Sequence, residues 1–516
     1  MNDAIAQAYA DLPYPMNVFG QVQPHRMAVM ATLMGLPSAH PSRCRYLELA
    51  CGSGGSTLAF AAASPQSIAV GIDITEPAIA TARNAADELG LTNATFQCAD
   101  ILQLPASLGE FDYIAAHGFY SWVPPHVRDA ILSVCKRHLA PNGVAYVSYN
   151  ARPGCDLRLM LRDMMQVHTR SAATPAEQVR QARAFIEFLA QSQAGNGMYN
   201  QIVEWHHKRM AKLPDALIFH DDLSPVNDPV YFGQFVQHAA AHGLQFLGES
   251  ELSSMGDTRF EHPLREQMAR MNADLITSEQ YLDFLCGRAF RETLLCHEEV
   301  ALDRRITPER IKHMFFSTEL EPVSAAPKIN STDAEEFRTT TDRGMTTPDP
   351  LAKAIIVELG RAFPASLSLT ELHARVAKHL EGVTEDRVAG GLLHIYAAGP
   401  MLDLHIMPPV CSATLAERPR LSRLARIQLR SGKTVLTNFH CKGVEAGDPI
   451  LKKMLSLLDG TRDREALAAA LLAAAESGEI PPLPRAAGDE RPLRELVLEG
   501  LDRNLELTRR FALLEA

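Results

Sequence analysis

Tyr46-Leu-Glu-Leu-Ala-Cys-Gly-Ser-Gly-Gly-Ser56 reads as a short strand, 46–49, that breaks into a glycine-rich turn and then enters a helix. Gly52, Gly54 and Gly55 carry no side chain, so a nucleotide-like ligand can approach the bare backbone there. Two acids set the turn apart from a dinucleotide fingerprint. Glu48 stands four residues before Gly52 at the strand end, and Asp73 closes the next strand, 19 residues after Gly54. A pyrophosphate favours a helix N-terminus free of nearby carboxylates. An acid within the loop suits a cationic ligand, and S-adenosylmethionine, with its sulfonium and ammonium groups, is one. A methyl donor is expected in place of NAD.

Outward from this turn, strands and helices alternate. Strand-like runs fall at 46–49, 68–72, 94–98, 111–115 and 144–149, with helical stretches such as 77–89 and 126–138 between them. This pattern predicts an open, doubly wound parallel sheet, whose ligand lies at the carboxyl ends of the strands. Asp73, Asp100 and His117 each follow a predicted strand and are expected to face one crevice. Residues 157–215 read as helices, including 158–167 and 175–193. Helix 231–242 then leads to strand 244–247, as late elements of the same sheet after a helical, lid-like insertion. Residues 262–320 read as helical, and the Ser/Thr/Pro/Ala-rich run from Val323 to Pro350 reads as a linker. The expected organisation is a donor-binding core over 1–155, a helical insertion and regulatory region with late core elements over 156–322, a linker over 323–349, and a C-terminal tail over 350–516.

In the tail, 350–409 suggests a winged-helix-like module of three helices and a strand at 402–407, with Thr370-Glu-Leu-His as the N-cap start of one of the helices. Strands at 425–429 and 434–439 follow, then helix 448–458 and an alanine-rich helix. The third helix of the module, 386–397, carries only Arg387 as a base. A DNA-recognition helix normally presents several Arg, Lys, Asn or Gln on one face. Packing, dimerisation or substrate docking is the expected role.

Bulk properties agree. A chain of 516 residues with 46% hydrophobic and 22% charged content holds two to four soluble domains. A formal net charge of -11 argues against nucleic acid or anionic membrane as the main partner. The nine cysteines form no C-x-x-C pair, and Cys286, Cys296 and His297 fit no common zinc spacing, so no metal site is expected. No apolar run of about 20 residues occurs and the N-terminus has no signal-like pattern. A cytoplasmic location without membrane insertion follows as the expectation.

The blocks Leu47-Glu-Leu-Ala-Cys-Gly-Ser-Gly-Gly, Gly71-Ile-Asp-Ile, His117-Gly-Phe-Tyr-Ser-Trp-Val-Pro and Tyr146-Val-Ser-Tyr-Asn-Ala-Arg-Pro-Gly resemble class I methyltransferases. More narrowly, they resemble the bacterial group with a methyltransferase regulatory domain, whose known members include rickettsial protein lysine methyltransferases. Val226-Asn-Asp-Pro-Val-Tyr-Phe and Arg288-Ala-Phe-Arg-Glu-Thr-Leu-Leu-Cys are similar to that group's middle region, so the resemblance spans nearly the whole chain. It implies an α/β fold: a Rossmann-like methyltransferase sheet, a helical middle insertion and a C-terminal winged-helix-like tail. It further implies S-adenosylmethionine as donor and a lysine-bearing protein as acceptor, including a surface protein met before export, with a homodimer as one assembly. Carried over by position, Glu48, Ala50, Gly52 and Gly54 line the donor's methionine end. Asp73 with Ile74 accepts from the ribose, Asp100 and Ile101 frame the adenine, and His117 and Gly118 lie beside the sulfonium. Ala50 departs from the family pattern, which has glycine there; a negative φ would accommodate it.

For the acceptor, a lysine must lose its proton, and an apolar or aromatic pocket lowers its pKa from about 10.4. His117, Tyr120, Trp122, Tyr149 and Asn150, at the ends of strands four and five, are the catalytic candidates, with His117 or bulk water reached through a channel as the base. Tyr9 and Tyr14 are candidates to close over the donor. Two rival readings stand beside protein methylation: a small-molecule amine or hydroxyl acceptor, and a non-catalytic donor-binding scaffold.

Overall fold

The computed structural model describes residues 12, 14–192, 195–256, 262–271, 274–482 and 491–516, so Tyr9 lies outside the described residues. It divides into two units, Met1–Asn17 with Met30–Arg304, and Val18–Val29 with Arg305–Ala516. Helix α1 (Pro24–Leu33) precedes the first strand.

In the first unit, β1 (Arg45–Leu49) is buried on both faces after its first residue, as an inner parallel strand must be. It lies between β2 (Ile68–Asp73) and β4 (Phe111–Ala116); β3 (Ala94–Cys98) flanks β2, and β5 (Leu139–Asn150) flanks β4. Helices α2 (Gly55–Ala63), α3 (Glu76–Leu89) and α4 (Pro125–His138) make the crossovers. These strands lie in the order β3-β2-β1-β4-β5, so the switch point lies between β1 and β4. These five strands match the expected ones in place and direction.

The insertion follows as α5 (Asp156–Thr169), α6 (Pro175–Ser192), α7 (Gly197–Met210) and α8 (Asp215–Asp222), built on a separate core that includes Leu161, Met165, Val179, Ile186 and Val203. Then come α9 (Phe232–Ala241), β6 (Leu244–Glu249), α10 (His262–Met271), α11 (Leu275–Cys286) and β7 (Phe290–His297). Here the structure corrects the sequence reading, which took 262–320 as helical. Strand β7 runs antiparallel between β5 and β6 and completes the seven-stranded sheet.

What disguises β7 is a buried ion network. Arg291 is 1% exposed. It donates to Glu249 Oε1 at 2.8 Å, to the Glu279 carbonyl at 2.8 Å and to Asp283 Oδ2 at 3.0 Å, and its guanidinium lies 3.9 Å from the Phe232 ring centroid. Arg288 adds a second bond to Asp283 at 3.1 Å. A full set of partners is what lets a charged side chain occupy an interior.

The second unit has two further corrections. The expected linker carries β10 (Glu335–Arg338) and β11 (Gly344–Thr347), which pair in a hairpin beside β9 (Glu321–Pro322). Alternate residues Glu335 and Phe337 are buried, so a Ser/Thr-rich composition concealed a period-two pattern. Residues 425–429, expected as a strand, lie in a helix (Arg423–Arg430) whose N-cap Ser422 accepts from the Ala425 N–H at 3.2 Å. The three helices and the strand expected over 350–409 are present. Strand β8 (Phe315–Ser317) pairs with β12 (Leu367–Ser368) and β13 (Asp403–His405), and helices Pro350–Ala362, Leu369–Val376 and Glu385–Ala398 pack with one another and onto these strands. The helix after β12 starts on a Ser368–Glu371 capping box, two residues earlier than expected from Thr370. Among the described residues, no helix is long and apolar enough to cross a membrane.

Candidate functional site

Because β1, β2, β3 and β4 are parallel, their carboxyl ends place the turn at 50–55, Asp73, Asp100 and His117 along one edge of the sheet. Gly52, Gly54 and Gly118 have φ of 53°, 75° and 59°. Ala50 has φ 54°, which corrects the expectation of a negative angle: this alanine occupies the left-handed region that disfavours a Cβ. A Cβ at Gly54 would fall 2.5 Å from Phe96, and one at Gly55 would fall 2.2 Å from the Asn17 carbonyl oxygen. The N-terminal segment at Met16 and Asn17 thus lies directly on the start of α2. We predict that Gly55→Ala displaces this segment, seen as faster limited proteolysis before residue 20; an unchanged digestion rate contradicts the packing. Tyr14 packs its ring 5.8 Å from that of His220.

Glu48 is 5% exposed and accepts from the Thr57 hydroxyl, with Ser56 also nearby. Burial pushes its carboxyl up to about 7, against the partial help of those hydroxyls. Asp73 accepts from the Gly52 N–H at 2.9 Å on one oxygen, and from the Thr75 N–H at 2.9 Å on the other. It therefore ties the β1 turn to the β2 end and keeps lone pairs for a ligand. Asp100 caps a short turn by accepting from the Leu102 N–H at 3.0 Å. Ile101 is buried below it, and Ile74 is 37% exposed. Acids thus close three neighbouring strands, and the partners described for Glu48 and Asp73 are hydroxyls and backbone N–H groups. That donor set, beside glycine backbone with open space at Gly52 and Gly118, fits a cationic nucleoside.

At the β4 end, His117 Nδ1 meets the Tyr146 hydroxyl at 2.9 Å, and Tyr146 donates to Glu292 Oε1 at 3.1 Å. Burial lowers the imidazole to about 4, so His117 is neutral. Ser148 accepts from the Gly118 N–H at 2.8 Å, fixing the loop. Phe290, 39% exposed, stands edge-on to His117 with centroids 6.0 Å apart. Asn150 holds Asn227 Oδ1 at 2.7 Å through its side chain, and its N–H donates to Ser121 at 2.9 Å. Trp122 is half-buried on the short turn Tyr120–Trp122.

Tyr120 and Tyr149 are placed differently from the expected pocket wall. Tyr149 stacks on Phe235 at 4.1 Å and its hydroxyl meets Thr293 at 3.0 Å; Tyr120 lies edge-on to the same Phe235 and its hydroxyl meets His238 Nδ1 at 2.8 Å. Both are at most 2% exposed. The structure brings together His117, Gly118, Ser148 and Tyr146, and separately Asn150 with Ser121. Thr57 lies just beyond the glycine turn and carried no signal of its own; Tyr146, Asn227, Phe290 and Glu292 lie within the Tyr146, Val226 and Arg288 blocks, which marked their segments without giving these residues a role.

Residues 47–143 match a methyltransferase domain, 214–297 a predicted methyltransferase regulatory domain, and 417–513 the PKMT C-terminal winged helix domain. The uncharacterized protein RP789 of Rickettsia prowazekii is 30% identical over 483 residues, covering 92% of this chain and 87% of that protein. The uncharacterized protein sll1526 of Synechocystis is 25% identical, covering 57% of this chain and 58% of that one. The structure of PKMT2 from Rickettsia typhi in complex with AdoHcy superposes with a TM-score of 0.86 at 26% identity, covering 97% of this chain and all of that one. With a parallel sheet ending in acids, a regulatory region that completes that sheet, and a whole-length relative at this identity, the chain belongs to the family of methyltransferases that carry a methyltransferase regulatory domain and a PKMT C-terminal winged helix domain.

Proposed function

We propose that this enzyme transfers the methyl group of S-adenosylmethionine to lysine side chains of a protein. The observation that carries this reading is the likeness to PKMT2 over the whole chain, the C-terminal unit included. A small acceptor would not call for so large a second unit. S-adenosylmethionine supplies an electrophilic methyl on a sulfonium. In this reading Gly52 and Gly54 admit its methionine end beside Glu48, Asp73 accepts from the ribose, Asp100 and Ile101 flank the adenine, and Gly118 opens the way to the transferring centre.

His117 orients and does not take the lysine proton. Its Nδ1 is held by Tyr146, and burial makes it too weak a base at neutral pH. A neutral ring also adds no positive charge beside a cationic donor. Trp122 and Phe290 offer aromatic faces that can attract an ammonium before it deprotonates to water. Proximity and alignment then provide most of the acceleration, on the order of several kcal/mol. Incubation of the purified protein and radiolabelled donor with cell extract tests the reading. Label is expected in a protein band and, after hydrolysis, in methyllysine; label confined to small molecules overturns it.

The raised Glu48 carboxyl gives a further expectation. Below about pH 7 it carries a proton, and the donor's ammonium must displace that proton to gain a counter-charge. Donor Kd is therefore expected to rise about tenfold per pH unit below about 7 and to be flat above it. Calorimetry in two buffers of different ionisation enthalpy should show proton release on the acid side, absent in Glu48→Gln. A Kd independent of pH excludes this role.

A further inference from the structure

His238 and His242 stand four residues apart at the end of α9, and Asp129 faces them from α4. The sequence expectation of no metal site rested on the cysteine spacing and on Cys286, Cys296 and His297, of which Cys296 is buried and His297 Nε2 donates to the Leu139 carbonyl at 2.9 Å. The two helices create a set that cysteine spacing could not show. One nitrogen of each imidazole and a carboxylate oxygen of Asp129 lie within 4.8 Å of one another. The Asp129 Oδ1 is 2.7 Å from His238 Nε2 and 3.6 Å from His242 Nε2. A tetrahedral ion with bonds of about 2.0–2.2 Å separates its ligands by about 3.3 Å, between the two measured spacings. The i, i+4 histidine pair is the spacing that puts two imidazoles on one helix face.

The outer surroundings favour the same use. His238 Nδ1 meets the buried Tyr120 hydroxyl at 2.8 Å, which fixes the ring with Nε2 turned toward Asp129. Metal-bound histidines characteristically have such a partner on the other nitrogen. Without an ion, Tyr120 donates to Nδ1 and the Nε2–H donates to Asp129. With an ion on Nε2, the ring proton sits on Nδ1 and donates to the Tyr120 oxygen. Asp129 is more than half exposed, which provides an entry route and room for a water as fourth ligand.

We propose that Asp129, His238 and His242 form a binding site for a zinc-type divalent ion that staples the regulatory region to the methyltransferase domain. The ligands come from both: Asp129 lies within the methyltransferase match, and the histidines lie within the regulatory match. The fourth member of the junction, Tyr120, sits on the turn that carries Trp122, so the ion sets the hydrogen bond at the base of that loop. Imidazole with one carboxylate suits Zn2+, Co2+ or Ni2+ over Mg2+ or Ca2+.

The test uses untagged, full-length protein dialysed against a chelator. Titration with Co2+ is expected to produce the strong visible absorption of a low-coordinate site, displaced by one equivalent of Zn2+. Zn2+ at about 100 times its Kd should raise Tm by several degrees. His242→Gln, at the partly exposed helix end, should abolish the absorption while circular dichroism stays unchanged. Asp129→Asn should raise the Zn2+ Kd at least about tenfold. Absence of the Co2+ spectrum overturns the proposal. So does a spectrum or Tm shift that persists in His242→Gln, since the ion then lies elsewhere and the triad is a hydrogen-bonded bracket alone.

Discussion

Replacing Asp73 with alanine is expected to weaken binding of S-adenosylmethionine by about 10²–10⁴-fold. A carboxylate that accepts from two ribose hydroxyls contributes about 1.5–3 kcal/mol through each charge-assisted bond, and the pair together gives that range. The same side chain holds the Gly52 N–H and the Thr75 N–H at 2.9 Å, so its loss also loosens the glycine turn. Asp73→Asn keeps one acceptor oxygen and should fall between the wild type and the alanine variant. Calorimetric titration of both variants measures this, with circular dichroism to confirm that the sheet is intact. A donor Kd within about threefold of wild type in Asp73→Ala would remove Asp73 from the donor site.

Arg291→Met carries the largest expected cost in stability. The substitution leaves Glu249, Glu279 and Asp283 as buried acids without their central cation, and breaking a buried network in this way costs about 3–5 kcal/mol. For a unit of this size, that lowers Tm by about 10 °C. Glu279 and Asp283 are already pushed upward by burial even with Arg291 present. Without it they rise further, and a raised carboxyl stabilises the fold below its unfolded pKa and loses that contribution as pH rises. The deficit should therefore be smaller at pH 5 than at pH 8. A variant whose Tm loss is the same at both values would show that lost packing on Phe232, not uncompensated charge, sets the cost.

The same arginine explains where the sequence was legible and where it was not. Strands β1 to β5 were readable because their apolar runs are interrupted by glycine or by acids at strand ends. Strand β7 reads Phe-Arg-Glu-Thr-Leu-Leu-Cys-His, and polar residues in a run normally indicate an exposed surface. Here Arg291 and Thr293 point into an ion network whose partners lie about 10–40 residues away, which no local pattern encodes. The helix at 423–430 fell to a competing period: Ala-Arg-Ile-Gln-Leu alternates like a strand, while its arginines at 423, 426 and 430 also share a helix face. At the site, residue types at strand ends were legible because the parallel topology puts them there. The directions of Tyr120 and Tyr149 were not. They depend on Phe235, in a helix more than 80 residues away.

Synthesis order gives the late strand one more consequence. Strand β5, buried along almost its whole length, has β7 as its outer neighbour, and β7 ends about 150 residues further along the chain. At ribosomal speeds of about 5–20 residues per second, the nascent sheet keeps an apolar edge open for roughly 10–30 seconds. A nascent chain stalled or truncated between 155 and 290 would carry the donor-binding turn complete, yet present a sticky strand edge. The regulatory region thereby acts as a built-in edge cover, and expression of the first 155 residues alone should yield aggregates.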